Sequence, residues 1–223
     1  MSRSFGLVDS KVQEAEYFLD RILEADQFFF GVQCDAVAFV ASARSITFAM
    51  QSSLAGISEF DAWYAVKQVE LRKNPLAKFF HEFRRVSQHI GENVVVGGSF
   101  QSGKALFHFG SVPELTSVPT IDVASACTEY FKLILELVYE CYIAFNPLIN
   151  GQWRFTRQHF ESIGKTIEDA EEELGLPRGW GQVPGFDDDT RWLYLRREAD
   201  GCNIQNQFEL WLNKRVPHPD DEE

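Results

Sequence analysis

The chain has 223 residues, 45% of them apolar, 14% aromatic and 24% charged, and its formal net charge is −12. This composition is typical of a soluble globular protein, and it excludes intrinsic disorder, collagen-like repeats and small disulfide scaffolds. The acidic balance also argues against a protein that binds nucleic acid over its whole surface.

Two helices are predicted at the start of the chain. Ser10 and Gln13 have the spacing of a capping box, which predicts that the first helix begins at Ser10. The second helix, over residues 33–54, is apolar nearly all round and should therefore lie at the centre of a helical bundle. The charge of Arg44 needs a partner there, and a structural salt bridge is its expected role.

The next two helices are predicted from their ends. Ser58 is expected to cap a third helix, and Asn74 followed by Pro75 is expected to begin a fourth, which ends at Gly91. One face of the fourth helix is apolar throughout: Leu76, Phe79, Phe80, Phe83, Val86 and Ile90.

The rest of the chain is predicted to contain both strands and helices. Residues 94–109 predict a β-hairpin, and helical periodicity returns from Asp122 to about residue 145 and again over 160–174. Residues 191–197 are predicted as a strand, and residues 204–212 as a helix or a strand.

These elements predict a mainly α fold, an antiparallel helical bundle with an inserted β-hairpin and a small mixed C-terminal cap. Residues 1–176 would form the bundle, with the hairpin inserted near 94–109. Residues 177–223 would form the cap or an extension, and they end in an acidic tail.

The cysteines and the apolar runs predict a cytoplasmic location without membrane association. The four cysteines form no C-x-x-C pair and are expected to be buried thiols in a reducing compartment: Cys34, Cys127, Cys141 and Cys202. Residues 1–11 lack the continuous apolar stretch of a signal peptide. The most apolar run, 133–145, contains Glu136 and Glu140, so it is not expected to span a bilayer.

Two local motifs suggest sites that their context does not support. Residues 98–104 have the spacing of a phosphate-binding loop, but Ala105 stands where that loop needs Ser or Thr, so a glycine-rich hairpin turn is predicted. The acidic triplet 187–189 has no ligand-spaced His or Glu beside it and is expected to cap the next segment or to stay solvated. Neither a metal nor a cofactor is predicted, and no serine-nucleophile pattern is present.

A basic segment lies inside this acidic chain. Residues 67–104 contain seven basic and three acidic side chains, which is compatible with one localised face that contacts phosphate. A solvated helix surface is the alternative. Within this segment, Arg84 and His89 lie about 140° apart on a uniform helix with ~100° per residue.

The spacing of Arg84 and His89, at the end of a bundle helix that carries aromatic core positions, resembles the signature of the HEPN superfamily. Arg84 and His89 match the two fixed positions, and Arg85 stands where the family commonly has Asn. The order of elements is also similar, with a helix pair, the motif-bearing helix and further helices that complete the bundle. The resemblance covers residues 10–175.

The resemblance implies a metal-independent endoribonuclease, of the kind that often serves as a toxin of toxin–antitoxin or phage-defence systems. It therefore implies RNA as substrate, an antitoxin protein as partner, and a homodimer in which two motifs face one another across a cleft. His89 would act as general base or acid on the ribose 2′-hydroxyl, and Arg84 would stabilise charge on the phosphate. Arg85, Lys78 and Lys104 would contact the RNA backbone.

Other members of the same superfamily are not catalytic, so a dimeric helical scaffold or protein-binding module is the alternative. The position of the basic side chains distinguishes the two. Catalysis is favoured if Lys78, Arg84, Arg85 and Lys104 line one cleft with His89, and the scaffold is favoured if they are scattered. A nucleotide-binding enzyme that uses Lys104 is a remote third option.

Overall fold

The computed structural model describes residues 3–25, 29–101, 104–115 and 117–222. These residues form a mainly helical protein with one antiparallel pair of strands, so the predicted mainly α fold with a hairpin is confirmed. The α-helices of these residues are α1 Gly6–Leu23, α2 Phe29–Ser53, α3 Ser58–Lys73, α4 Pro75–Arg85, α5 Val123–Ile149, α6 Gly151–Arg154, α7 Arg157–Ser162, α8 Ile167–Glu173, α9 Asp188–Glu198 and α10 Gln205–Leu212. The strands are β1 Val95–Gln101 and β2 Lys104–Phe109, a π-turn, Val86–Ile90, follows α4, and a 3-10 turn, Pro219–Glu222, lies near the C-terminus.

The described residues form two compact units. The N-terminal unit comprises Leu7–Leu137, and the C-terminal unit comprises the residues from Val138 onward together with those up to Gly6. Helices α2 to α4, the π-turn and both strands belong to the N-terminal unit, whereas α6 to α10 belong to the C-terminal unit. The domain boundary near residue 176 stays a prediction.

Helix α2 is a core element of the N-terminal unit, where it packs against α4 and β1. Among the described helices it is the one whose length and composition would allow it to cross a membrane, with a mean hydropathy of 1.2 in an 18-residue window of which 44% is buried. The core helix of a soluble protein has the same properties, so the absence of membrane association and the cytoplasmic location stay predictions.

Helix α4 begins where the sequence predicts. The Asn74 side-chain oxygen accepts hydrogen bonds from the backbone N–H groups of Leu76 and Ala77 at 2.9 and 3.0 Å, and Pro75 occupies the first helical position, where it needs no N–H partner. The helix buries Phe80, whose ring stacks on Tyr130 of α5 at 4.4 Å between centroids. Asn74 and this ring stack together fix where α4 lies on the core.

The starts of α1 and α3 differ from the prediction. Helix α1 begins at Gly6, so Ser10 lies inside it and the predicted capping box is wrong. Val8 is fully buried, so the extra N-terminal turn brings apolar surface into the core. The N-cap of α3 is Ile57 with no side-chain cap, and the Ser58 hydroxyl donates to Glu59 instead, so the predicted Ser58 cap is also wrong.

The hairpin lies within the predicted residues 94–109. Gly98 pairs with Phe107 across the two strands, and a Cβ at Gly98 would lie 3.1 Å from the backbone oxygen of Leu106. The glycine therefore permits close strand packing, and Lys104 begins β2 rather than a helix. This agrees with the rejection of the phosphate-binding loop, although residues 102–103 themselves lie outside the described part of the chain.

Helix α5 and the C-terminal unit depart from prediction in three places. Helix α5 is kinked at Phe145 and continues beyond the predicted stop to Ile149. The single helix predicted over 160–174 is wrong, because Gly164, at a φ of 69°, separates α7 from α8. The strand predicted over 191–197 is also wrong: these residues lie in α9, which the Asp187 carboxylate caps by accepting from the Thr190 N–H at 2.8 Å.

The cysteines are only in part as predicted. Cys127 and Cys141 are buried, and burial raises the pKa of both thiols. Cys34 is exposed, so the prediction of a buried thiol is wrong at that position, and Cys202 is half-buried. Cys34, Cys127 and Cys141 are free thiols in this structure.

A fully buried carboxylate organises the C-terminal unit. Glu171 is 0% exposed and accepts hydrogen bonds from the backbone N–H groups of Gly179 and Gly181. It also accepts from the buried Arg191 guanidinium of α9 at 3.0 Å. Arg191 reaches Glu168 at 3.1 Å as well. This cluster joins α8, α9 and the loop between them.

The carboxylate of Glu173 makes the stability of the C-terminal unit sensitive to acid. Burial raises the pKa of Glu173, but the hydrogen bond and charge of Arg154, with those of Lys165, outweigh it and hold the pKa at about 2 instead of 4.5. A carboxyl whose pKa is depressed on folding stabilises the fold above its unfolded pKa, and this contribution disappears as the pH falls through the folded pKa. We therefore expect the urea midpoint to fall between about pH 4.5 and pH 2.

The variant Glu173→Gln isolates this contribution. Its urea midpoint should already be lower at neutral pH and should fall less steeply in acid than that of the parent, because the glutamine cannot titrate. Identical pH profiles for the two proteins would show that Glu173 is not the responsible group.

Candidate functional site

The end of α4 and the π-turn carry the predicted catalytic pair. Arg84 is half-buried, and its Nε is a buried donor without a hydrogen-bond partner in the structure. His89 lies in the π-turn with its side chain exposed, and it makes no hydrogen bond to a described residue. The turn ends at Gly91, at a φ of 82°, whose N–H donates to the Val86 carbonyl at 3.0 Å.

The π-turn changes the angle between these two side chains. On a uniform α-helix, Arg84 and His89 would lie about 140° apart. Bonding from residue i to i+5 puts more residues into each turn, so the chain rotates less between Arg84 and His89. The two side chains therefore point in more similar directions than they would on a uniform α-helix, and the described residues show no hydrogen bond between them.

The three predicted RNA-binding side chains, Arg85, Lys78 and Lys104, are all exposed. Arg85 forms a surface ion pair with Glu82 at 2.7 Å, and Lys104 stands at the start of β2, opposite Gln101. Of the five predicted site residues, Lys78 lines a cavity between α2, α3, α4 and α5, and the other four do not. This cavity is therefore not the cleft, lined by all four predicted cations and His89, that would favour catalysis.

A cavity of about 440 Å³ lies between α2, α3, α4 and the first part of α5, within the N-terminal unit. Its lining is rich in cations and hydroxyl groups, and we call it the basic cavity. It is lined by Arg44, Thr47, Tyr64, Gln68, Leu71, Arg72, Ala77, Lys78, His81, Tyr130 and Ile134. Among the described residues, no carboxylate belongs to this lining.

The expected role of Arg44 is wrong. No carboxylate of a described residue pairs with Arg44, which instead donates to the Thr47 hydroxyl at 2.9 Å and lies 4.5 Å above the ring of Phe48. The sequence signal at this position is a cation in a largely apolar helix. Because Arg44 was assigned to a salt bridge, its place in a cavity was not predicted. Arg72, His81 and Tyr130 were not predicted, since nothing in their local sequence separates them from ordinary helix residues.

Tyr130 stays protonated at every physiological pH. Burial raises its pKa to about 12, which outweighs the opposing effect of the Arg44 charge. The side chain is 5% exposed, and its hydroxyl makes no hydrogen bond to the part of the chain that the structure describes. The Tyr130 hydroxyl is therefore a hydrogen-bond donor available to the cavity.

Comparison of the chain with family models, curated proteins and solved structures finds no match. Over the described residues, no three His, Cys, Asp or Glu side chains are grouped so as to hold a metal ion.

Proposed function

We propose that this protein is a metal-independent endoribonuclease of the HEPN type, with an active site that forms where two Arg84–His89 pairs face one another in a homodimer. The observation that carries the proposal is Arg84, whose buried Nε lacks a partner at the end of the helix that presents His89 to solvent. The finer fold assignment, an HEPN-like bundle, belongs to the same proposal.

The buried Nε of Arg84 supports a role in binding RNA. An unsatisfied buried donor costs about 1–3 kcal/mol, and more if it is charged. The oxygens of a phosphodiester match the planar guanidinium as paired acceptors. A phosphate could reach this Nε only if the Arg84 side chain turned outward; it would then satisfy the donor and would receive positive charge where negative charge builds in the transition state.

The exposure of His89 supports a role in proton transfer. In this mechanism an imidazole removes the proton of the ribose 2′-hydroxyl, and the 2′-oxygen forms a bond to phosphorus. The bond between phosphorus and the 5′-oxygen breaks, and that oxygen takes a proton from an imidazolium. The products are a 2′,3′-cyclic phosphate and a 5′-hydroxyl, so a substrate without a 2′-hydroxyl cannot react.

Arg85, Lys78 and Lys104 would contact the RNA backbone in the same proposal. All three are exposed. The Arg85–Glu82 ion pair lies on the surface and stabilises the fold little, so a phosphate can replace Glu82 as the partner of Arg85. The proposal also includes service as a toxin or phage-defence protein, with an antitoxin protein as partner. An RNase of this kind would need such a partner to protect the cell that makes it.

A non-catalytic dimeric scaffold or protein-binding module is the second candidate. One observation favours it: of the four predicted cations, Lys78 lines the basic cavity, whereas Arg84, Arg85 and Lys104 do not. In the nuclease proposal, a cleft between two subunits would bring these side chains together. The oligomeric state and RNA cleavage therefore have to be measured on the same sample.

The test incubates the full chain with several RNAs in EDTA, after sedimentation analysis of its oligomeric state. We expect a dimer that releases fragments with 2′,3′-cyclic phosphate ends and does not cut the matching DNA. A folded protein that leaves all the RNAs intact would contradict the nuclease and support the scaffold. Cleavage that EDTA abolishes would contradict the metal-independent mechanism.

A further inference from the structure

We propose that the basic cavity binds a small organic phosphate of up to nucleotide size, with Arg44, Arg72 and Lys78 around its phosphate group and Tyr130 as a hydrogen-bond donor. This inference goes beyond the proposed nuclease. It does not rest on RNA cleavage, on dimerisation or on the Arg84–His89 pair, and it stands or falls by itself.

The charge of the basic cavity is the first argument. Arg44, Arg72 and Lys78 line it, and none of them forms an ion pair with any residue that the structure describes. The chain has 33 acidic and 21 basic residues, so carboxylate partners are abundant in this protein. Three cations around one cavity, with no acidic side chain among its described lining residues, create a local positive potential, and that potential favours an anion.

The hydroxyl groups of the basic cavity are the second argument. Tyr130 and Tyr64 are each 5% exposed, and both line the cavity. The Tyr64 hydroxyl accepts a hydrogen bond from Gln51 at 3.3 Å, which leaves its own proton to donate. The Tyr130 hydroxyl has no described partner. Two O–H donors beside the cations suit a ligand that accepts hydrogen bonds, as a phosphate does.

The position of Arg44 is the third argument. Its guanidinium is held between the Thr47 hydroxyl, at 2.9 Å, and the ring of Phe48, at 4.5 Å from the centroid. These two contacts restrict the guanidinium while leaving donors unused. A pre-positioned arginine loses less conformational entropy when it binds an anion, and it is the cation of this cavity that the fold holds most firmly.

The size and the apolar part of the basic cavity define the class of ligand. Its volume of about 440 Å³ lies within the range of small-molecule pockets, roughly 300–1,000 Å³. Leu71, Ala77 and Ile134 supply apolar wall beside the charged groups. Inorganic phosphate would leave this apolar surface uncovered, so an organic phosphate with an apolar or aromatic body fits the lining better.

The test measures binding to the full chain by isothermal titration calorimetry in the absence of RNA. The probes are inorganic phosphate, adenosine monophosphate, guanosine monophosphate and, as the uncharged control, adenosine. We expect a nucleoside monophosphate to bind with an affinity that falls as salt rises, and adenosine to give no signal. No heat with any phosphate probe at millimolar concentration would overturn the proposal.

Variants locate the binding within the molecule. Arg44→Gln and Arg72→Gln should each weaken binding by about tenfold or more, because each removes a charged hydrogen bond, and Tyr130→Phe should weaken it several-fold. Lys73→Gln is the matched control: Lys73 follows Arg72 on α3, is also exposed, and does not line the cavity. Equal weakening by Lys73→Gln, or none by Arg44→Gln and Arg72→Gln, would show that the phosphate binds elsewhere.

Two further binding measurements distinguish the phosphate site from the proposed nuclease site. His89→Ala should bind the monophosphate as the parent does, since His89 does not line the cavity. A short 5′-phosphorylated oligoribonucleotide tests whether the cavity takes the end of an RNA instead. Binding of the oligonucleotide without binding of any monophosphate would contradict the small-molecule assignment.

Discussion

Replacing His89 with alanine is expected to lower the rate of RNA cleavage by roughly 10²–10⁴-fold, which is the loss typical of a removed general acid or base. The side chain is exposed and makes no described hydrogen bond, so its removal should leave the fold intact. The measurement is the initial rate on a defined RNA in EDTA, with thermal unfolding of each variant as the check on folding.

Arg84→Ala belongs to the same test and acts through a different step. Loss of a donor that stabilises transition-state charge costs roughly 10²–10³-fold in rate. Arg84→Lys should recover only part of it, because an ammonium group cannot present the planar pair of donors. Stability should change little, because Arg84 makes no described side-chain hydrogen bond and its buried Nε lacks a partner.

Gln88→Ala is the matched control for this series. Gln88 is the exposed neighbour of His89 in the same π-turn and carries no titratable group. Its variant should cut RNA at the rate of the parent. A loss of rate in Gln88→Ala equal to that in His89→Ala would mean that distortion of the turn is responsible. Unchanged rates in both His89→Ala and Arg84→Ala would remove the catalytic role of the motif.

Glu171→Gln is expected to lower the free energy of unfolding by about 3 kcal/mol, which is the lower end of the cost of breaking a buried ion pair. The carboxylate is 0% exposed and accepts from Gly179, Gly181 and Arg191. The amide keeps the size of the side chain but removes its charge, and its NH₂ group cannot accept from a backbone N–H. Arg191 is then left buried with less compensation, although Glu168 still contacts it.

Urea unfolding monitored by tryptophan fluorescence is the suitable measurement, because Trp180 and Trp192 lie in the same unit as Glu171. Glu172→Gln is the matched control, since Glu172 is exposed and pairs with Arg178 on the surface. It should cost less than about 1 kcal/mol. Equal effects of the two substitutions would contradict the central role of the buried carboxylate.

Predictions succeeded where the signal is contained in a few consecutive residues. The Asn74–Pro75 start of α4 needs only an acceptor facing the next two N–H groups and a residue without its own N–H. Gly91 ends the π-turn because a positive φ is permitted at glycine. The hairpin of 94–109 was also predicted from local pattern, as two apolar runs on either side of a glycine-containing turn.

Prediction failed where local pattern allows two structures. Residues 191–197 contain a short apolar run that fits a strand, yet Asp187 caps a helix there and Arg191 is held by Glu171 of another helix. The helical spacing over 160–174 predicted the helix in each half, but it did not predict the break at Gly164. At Ser58, the hydroxyl donates a hydrogen bond to the neighbouring Glu59 carboxylate and does not cap the helix.

Sequence alone determined that this protein is mainly helical, that a hairpin follows its fourth helix, and that Arg84 and His89 stand at the end of that helix. These properties depend on composition, periodicity and short-range caps, which act over a few residues. Only the tertiary structure decided that the Nε of Arg84 is buried without a partner, and that Arg44 lines a cavity instead of forming a salt bridge. The basic cavity is built from residues between positions 44 and 134 on four helices. Their meeting depends on how the apolar faces of those helices pack, and no local pattern records that.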